Sequence, residues 1–267
     1  MWNKQIKKAI FTLNVENFDP EITELTFPLL KNYAKKIGAE FVIIKERKFL
    51  DWPVTYEKLQ IYKLAQEMGN DWNIYIDADA LIHPDLMDFT SILSKDTVAH
   101  HGSDFASMRW RYDRYFLRDG RNISSGNWFT LASDWCIDLW HPLDDLTLEE
   151  ALANITPIVV EENSNVFDAS HLIDDYVLSR NIAKYGFKFT TIREYLKSIS
   201  REITTSIDLD SKKTKAVGMA WHQYLVPKEV KIIEMKKVLK DWGLMASGFV
   251  PREKTLFEEY KENYNAT

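Results

Sequence analysis

The sequence predicts an α/β domain, a sheet with helices crossing over between its strands. Three observations carry this. Short apolar runs at Ala9 to Leu13, Phe41 to Ile44 and Asn73 to Ile76 read as buried strands. Two stretches with helical apolar spacing separate them, which is the pattern of parallel strands joined by crossovers. The chain has 267 residues, 45% hydrophobic and 28% charged, enough to build one sizeable core.

The elements follow in chain order. Pro20 opens a helix to Ile37, with Leu25, Leu29, Leu30, Tyr33 and Ile37 on one stripe and Gly38 as its stop. After Pro53, Tyr56 to Met68 has helical spacing at Leu59, Tyr62, Leu64 and Met68, and Gly69 ends it. The middle is less regular. Val98 begins a strand, and His101 to Arg121 is polar and aromatic and reads as a long loop. Asn127 to Leu131 is strand-like, and Ser133 caps a helix through Trp140. Leu172 to Tyr185 is a helix stopped by Gly186, and Phe187 to Ile192 is a further strand. Pro227 begins a helix to Trp242, and Pro251 begins a short last one. The reading is a catalytic-type domain over 1–228, with a first half to about 100 and a second over about 101–228, then a helical extension over 229–267.

Composition excludes several classes. The net charge is -6, with no basic excess or stripe, so nucleic acid is not an expected partner. Glycine is scarce at 9 residues, and aromatics are plentiful, with 9 Trp, 12 Tyr and 14 Phe, which excludes linker-rich or disordered architecture. Cys136 is the single cysteine, so neither an intrachain disulfide nor a cysteine zinc cluster can form. One cysteine fits a reducing compartment, and the expected location is cytoplasmic. No apolar window approaches the length of a membrane span. Ile10 to Leu13 is too short for a signal-peptide core, so the Asn-x-Ser/Thr triplets at Asn122, Asn154 and Asn265 read as chance matches.

The sharpest chemical feature is Ile74-Tyr75-Ile76-Asp77-Ala78-Asp79-Ala80. Two carboxylates arrive at the C-terminal end of a buried strand, the edge where open α/β sheets bind ligands. Carboxylate oxygens are hard ligands for Mg²⁺ or Mn²⁺. Asp-x-Asp also occurs at Asp208 and Asp210, but only the first copy follows a predicted strand. Alone, it reads either as a metal motif or as a solvated turn.

With its context, Tyr-Ile-Asp-Ala-Asp-Ala-Leu-Ile resembles the metal-binding motif of nucleotide-sugar glycosyltransferases with the GT-A fold, a Rossmann-like mixed sheet. The likeness is to family 8 and to the family 34 galactosyl/mannosyltransferases. It runs from about Lys8 to Lys228 as short motifs in the same order. It implies nucleotide contacts from Thr12, Leu13 and Asn14, and from Asp77 and Ala78 at the motif. It implies that Lys58 faces the diphosphate; read alone, Lys58 is equally a solvated helix lysine.

The Asn-(Ala/Ser)-Gly turn of those families corresponds to Ser124-Ser125-Gly126, with serine replacing asparagine, and implies donor-sugar contacts at Ser125 and Gly126. Family 8 members have Asp-Gln-Asp-x-Leu-Asn where this chain has Asp174-Asp175-Tyr176-Val177-Leu178. Asp174 and Asp175 are the implied catalytic or sugar-positioning pair, and otherwise an acidic helix N-terminus. The His-x-x-Gly-x-x-Lys motif corresponds to His222 and Lys228, with Leu225 in place of glycine. It implies Asp77, Asp79 and His222 as metal ligands and Lys228 as a diphosphate contact.

The implied activity is a hexosyltransferase, retaining, that uses Mn²⁺ or Mg²⁺, a UDP- or GDP-linked sugar donor and a glycan or other hydroxyl acceptor. The charge argument agrees: an acidic protein takes an anionic donor when a cation bridges the two. Two other readings stay open. One is a phosphohydrolase of the haloacid dehalogenase kind, with Asp77 as nucleophile. The other is a non-catalytic sugar-binding protein on a degenerate transferase fold. Trp110, Tyr112, Tyr115 and Phe116 read either as an acceptor surface or as loop packing. The lysine-rich helix Lys228 to Trp242 reads first as a core-docking helix, and second as a contact for an anionic membrane surface.

Overall fold

A computed structural model describes residues 6–101, 128–155, 158–160, 165–167, 169–199, 219–222 and 227–245. The loop aromatics Trp110, Tyr112, Tyr115 and Phe116, the turn Ser124 to Gly126, Asp208, Asp210, Leu225 and the helix expected after Pro251 lie outside these residues.

The strands are β1 (Lys8–Leu13), β2 (Ala39–Ile44), β3 (Trp72–Ile76), β4 (Leu81–Ile82), β5 (Thr97–His100), β6 (Phe129–Ser133), β7 (Ile158–Val160), β8 (Asn165–Phe167), β9 (Lys188–Thr191) and β10 (Ala220–Trp221). A six-stranded sheet runs in the order β2-β1-β3-β6-β5-β9. Strand β1 pairs parallel with β2 and β3, and β5 pairs parallel with β9. Only β6 is reversed within this sheet, pairing antiparallel with both β3 and β5. The result is the mixed α/β sheet that the family resemblance implies, where strand spacing alone predicts parallel strands.

Both faces of the sheet are covered, which is why β3 is buried at every position. The period of two splits the strand residues between two cores. Ala9, Phe11, Tyr75 and Ala132 face one, with Tyr56, Leu59, Trp140 and Tyr176. Ile10, Ile74, Ile76, Phe129 and Leu131 face the other, with Leu30 and Tyr33.

The helices are α1 (Pro20–Ile37), α2 (Gln60–Met68), α3 (Leu148–Ala153), α4 (Ile173–Tyr185), α5 (Ile192–Ile199) and α6 (Lys228–Asp241). Asp19 caps α1, its Oδ1 accepting from the Glu21 and Ile22 amides at 3.1 and 3.4 Å, with Pro20 at the first turn. The three helices expected to stop at Gly38, Gly69 and Gly186 do so. Gly38 takes φ 68°, a left-handed conformation that suits glycine. Helix α6 packs against α1 and β4, where Ile22, Leu29, Leu81, Ile232, Met235 and Leu239 form a third apolar cluster. Its docking on the core is the first of the two sequence readings.

The short strands β4, β7, β8 and β10 were not expected, and two further regions differ from the sequence reading. The last strand ends at Thr191, whose hydroxyl accepts from the Glu194 amide at 3.0 Å and starts a helix where the sequence reads continued strand. Helix α3 was not expected; Thr147 and Glu150 form its capping box. No helix among the described residues is long and apolar enough to cross a membrane.

Candidate functional site

The site lies at the C-terminal edge of the parallel strands. Strand β3 ends at Ile76, and the chain turns through Asp77 to Ala80, with the Ala80 amide donating to the Asp77 carbonyl at 3.1 Å. The turn is held on both sides. The Asp77 amide continues the ladder to the Trp128 carbonyl at 2.8 Å, and the Thr26 hydroxyl on α1 donates to the Ala78 carbonyl at 2.6 Å. The chain then enters β4, which pairs antiparallel with β10, Trp221 opposite Leu81. Antiparallel pairing carries the residue after Trp221 back toward the residues before Leu81. That register delivers His222 to the two aspartates from far along the sequence.

Asp77, Asp79 and His222 accordingly converge, with one ligand atom from each lying within 4.8 Å of the others. His222 Nε2 is 3.6 Å from Asp77 Oδ2 and 3.2 Å from Asp79 Oδ1. The other oxygen of each carboxylate is held elsewhere. Asp77 Oδ1 accepts from the Tyr75 hydroxyl at 2.6 Å and pairs with Lys58 Nζ at 3.1 Å. Asp79 Oδ2 pairs with Lys231 Nζ at 2.5 Å. Each carboxylate thus turns one oxygen toward the imidazole and anchors the other. The indole of Trp128 stacks on His222 at 5.2 Å and 13°, fixing the ring plane. Two carboxylate oxygens and an imidazole nitrogen, brought together from two segments of the chain, are a donor set that fits a divalent cation.

Lys58 joins this cluster to the second acidic pair. It lies in a 3-10 turn (Val54–Leu59), is 5% exposed, and places Nζ 2.6 Å from Asp174 Oδ2 as well as beside Asp77. It also lies over the Tyr75 ring, 4.8 Å from its centroid. The turn is itself pinned. Buried Glu57 accepts from the Lys48 and Phe49 amides at 2.9 and 3.0 Å, and Tyr56 stacks on Trp52 at 3.9 Å. Asp174 and Asp175 open α4 and are buried, as acidic residues at a helix N-terminus can be.

The electrostatics follow. Burial opposes charge on Lys58, but the Asp174 and Asp77 carboxylates overcome it and raise its pKa above the usual lysine value. Burial and the neighbouring Asp77 hold the Tyr75 phenol well above its usual value, so it stays a donor. Burial raises the Asp79 carboxyl, yet His222 and Lys231 outweigh it and leave Asp79 below the usual carboxylate range.

Several solved glycosyltransferases are similar to this chain. One is a glycosyltransferase involved in glycosylation of the major capsid of PBCV-1, at 9% identity and TM-score 0.46, covering 86% of this chain and 99% of that one. Another is the galactosyltransferase LgtC, solved with donor and acceptor sugar analogues, at 12% identity and TM-score 0.48, covering 92% and 98%. A third is GlyE of Streptococcus pneumoniae TIGR4, at 14% identity and TM-score 0.40, covering 89% and 63%. No protein-family model matches the chain, and no curated protein sequence does. With these TM-scores all under 0.5, the reading of the site rests on its own geometry.

Of the residues singled out in the sequence, the structure brings Asp77, Asp79, His222, Lys58 and Asp174 into one cluster, with Asp175 beside Asp174 on α4. Thr12 and Leu13 end β1, and Asn14 follows them, at the same sheet edge. The hydroxyl of Thr12 and the side-chain oxygen of Asn14 are buried without a hydrogen-bond partner among the described residues. Buried polar atoms left open at a ligand-binding edge are what a polar ligand would satisfy. Lys228 is placed differently. Its ammonium pairs with Asp19 at 2.7 Å, is 45% exposed, and does not join the carboxylates.

Sequence reasoning missed Tyr75, Trp128 and Lys231. Tyr75 carries a signal, since residues two apart on a strand share a face with Asp77. Lys231 is one helical turn beyond Lys228, close to the apolar positions Ile232 and Met235. Trp128 carries none.

Proposed function

We propose that the chain is a metal-dependent glycosyltransferase that moves a sugar from a nucleotide diphosphate sugar to a hydroxyl acceptor. The observation that carries this reading is the convergence of Asp77, Asp79 and His222 beside the buried Lys58–Asp174 pair, at the C-terminal edge of the sheet. Asp77, Asp79 and His222 would hold the cation. An imidazole in the set favours Mn²⁺ over Mg²⁺, which prefers oxygen ligands and water. When bound there, the cation supplies positive charge to a departing diphosphate.

The chain's own residues do the rest. Tyr75 and Lys58 orient Asp77 by holding its second oxygen. Lys58 places a permanent positive charge between the metal carboxylates and Asp174, in a setting of low dielectric where it acts strongly. Asp174 and Asp175 are proposed to position the donor sugar at the reacting carbon, with Ser125 and Gly126 on the sugar side. Thr12, Leu13, Asn14 and Ala78 are proposed for the nucleotide, and Lys228 enters as an outlying cation held by Asp19. Retention at the anomeric carbon and a UDP- or GDP-linked hexose rest on the resemblance to family 8.

The test needs no acceptor. A panel of UDP- and GDP-sugars is incubated with the protein and Mn²⁺, and release of nucleoside diphosphate is followed. One donor is expected to turn over, to stop on chelation, and to fall at least about a hundredfold in Asp79→Ala. The same donor should raise the melting temperature only with Mn²⁺ present. Neither turnover nor a melting shift across the panel would sink the proposal. Glycan binding without donor turnover would instead support the non-catalytic reading, and hydrolysis of simple phosphate esters the phosphohydrolase.

A further inference from the structure

Asp79 is already neutralised from within the chain. Lys231 Nζ sits 2.5 Å from Asp79 Oδ2, and the lysine side chain is 11% exposed. It cannot drift far. The backbone that carries it is anchored by Ile232, Met235 and Leu239 against Ile22, Leu29 and Leu81. The neighbouring Lys228 pairs with Asp19 outside the cluster. Among the described residues, the carboxylates Asp77, Asp79 and Asp174 face the ammonium groups of Lys58 and Lys231. These two differ in kind. Lys58 bridges two carboxylates and has no reason to leave. Lys231 contacts a single carboxylate, Asp79, one of the two on which a cation would land.

A protonated lysine cannot ligate a metal. It competes for the carboxylate and repels a divalent ion placed a few ångströms away. We propose that Lys231 is a resident counter-cation that a divalent ion, landing on the other oxygen of Asp79, repels from Oδ2, and that the freed ammonium then meets the anionic group arriving with the ion. The inference rests on reading Asp77, Asp79 and His222 as a metal site, and assigns the diphosphate to Lys231 in addition to that site. A four-carbon stem with a fixed backbone allows such a short swing. The consequence is coupling. The ion alone binds against Lys231, the diphosphate alone meets the carboxylates, and each strengthens the other when both are present.

The experiment measures Mn²⁺ binding to the full chain by electron paramagnetic resonance, without nucleotide, and then binding of UDP and GDP at saturating Mn²⁺. Lys231→Gln is expected to bind Mn²⁺ alone about fivefold to tenfold tighter than wild type. It should bind the preferred nucleotide about fivefold to tenfold more weakly. Lys231→Arg should keep the wild-type order of both affinities, because the charge stays. Lys240→Gln, on the exposed side of the same helix, should change neither. Mn²⁺ binding that Lys231→Gln does not tighten, or nucleotide binding that it does not weaken, overturns this inference alone. Absence of Mn²⁺ binding in both wild type and Lys231→Gln overturns the metal reading and this inference with it.

Discussion

Strand β3 has an acidic pair at each end, and the two are built differently. At its start, Asp71 and Asp134 share the ammonium of Lys95, at 3.5 and 2.8 Å. At its finish, Asp77 and Asp79 pair with Lys58 and Lys231 and turn their remaining oxygens to His222. The start even adjoins a cavity of about 210 Å³, lined in part by Asn70, Asp71, Asn73 and Asp134. Residue types and hollow space alone would favour neither end.

What separates them is where the oxygens go. Asp71 Oδ2 accepts from the Lys7 amide at 3.0 Å, and the Asp71 carbonyl accepts from the Asp134 amide at 3.0 Å, so this pair ties down the start of the strand. Lys95 is 37% exposed, and water screens what remains. At the finish, a separate segment brings an imidazole, Lys58 is buried and Lys231 half-buried, and a ligand atom on each of Asp77, Asp79 and His222 faces a common point. A site is distinguished from a surface ion pair by ligand atoms left over after structural needs are met.

The largest expected effect comes from removing the cation that joins the two acidic groups at the finish. Lys58→Met leaves the buried Asp174 carboxylate short of its ammonium. Breaking one partner of a buried pair costs about 3–5 kcal/mol, so the urea midpoint should fall steeply. Donor turnover should fall with it, since the same ammonium orients Asp77. A cost below about 1 kcal/mol would place this end in the class of the surface pair.

A second measurement separates the site from its neighbour strand. His100 ends β5, fully buried, donating from Nδ1 to the His101 carbonyl at 2.6 Å and stacked on Phe189. Burial, only partly offset by that hydrogen bond, pushes its imidazole down to about 4. Between pH 6.5 and 4 the unfolded chain binds this proton and the folded one does not, so stability falls as pH is lowered through that window. The loss approaches roughly 3 kcal/mol at about 1.4 kcal/mol per pH unit. Urea titrations in that window should show a shallower slope for His100→Gln. Asp79 acts elsewhere on the scale. Its pKa is depressed, so its contribution is complete above the usual carboxylate range and is lost only as pH falls below it. An unchanged slope in His100→Gln would return the acid sensitivity to the carboxylates.

Much of this was legible in the sequence, for identifiable reasons. The strands of the six-stranded sheet and the helix stops at Gly38, Gly69 and Gly186 were readable because apolar period and left-handed glycine are local properties. The direction of β6 was not, because an apolar run does not encode its partner's direction. The helix after Thr191 was hidden, since Thr190-Thr191-Ile192 continues a strand-like pattern and only the Thr191 hydroxyl marks the change. Asp77, Asp79 and His222 were found through motif order, and the β4–β10 register is the physical reason they meet. That same order pointed to Lys228. Its partner is Asp19, while Lys231, three residues later, projects to Asp79. Spacing along a motif gives sequence distance, and the helix decides which face that distance lands on.

The smallest expected effect belongs to the start of β3, and it bears directly on the contrast between the two ends. Lys95→Gln removes the ammonium shared by Asp71 and Asp134 but leaves the backbone bonds from Lys7 and Asp134 that close the strand. A partly exposed pair of this kind contributes about 0.5 kcal/mol, so the urea midpoint should move only slightly. Mn²⁺ affinity and any Mn²⁺-dependent melting shift should be unchanged, because among the described residues no ligand atom at this end faces an imidazole. If Lys95→Gln altered Mn²⁺ binding as much as Asp79→Ala, the acidic pair at the start would be a cation site too. The ordering of carboxylate oxygens would then have failed as the criterion that separates the two ends.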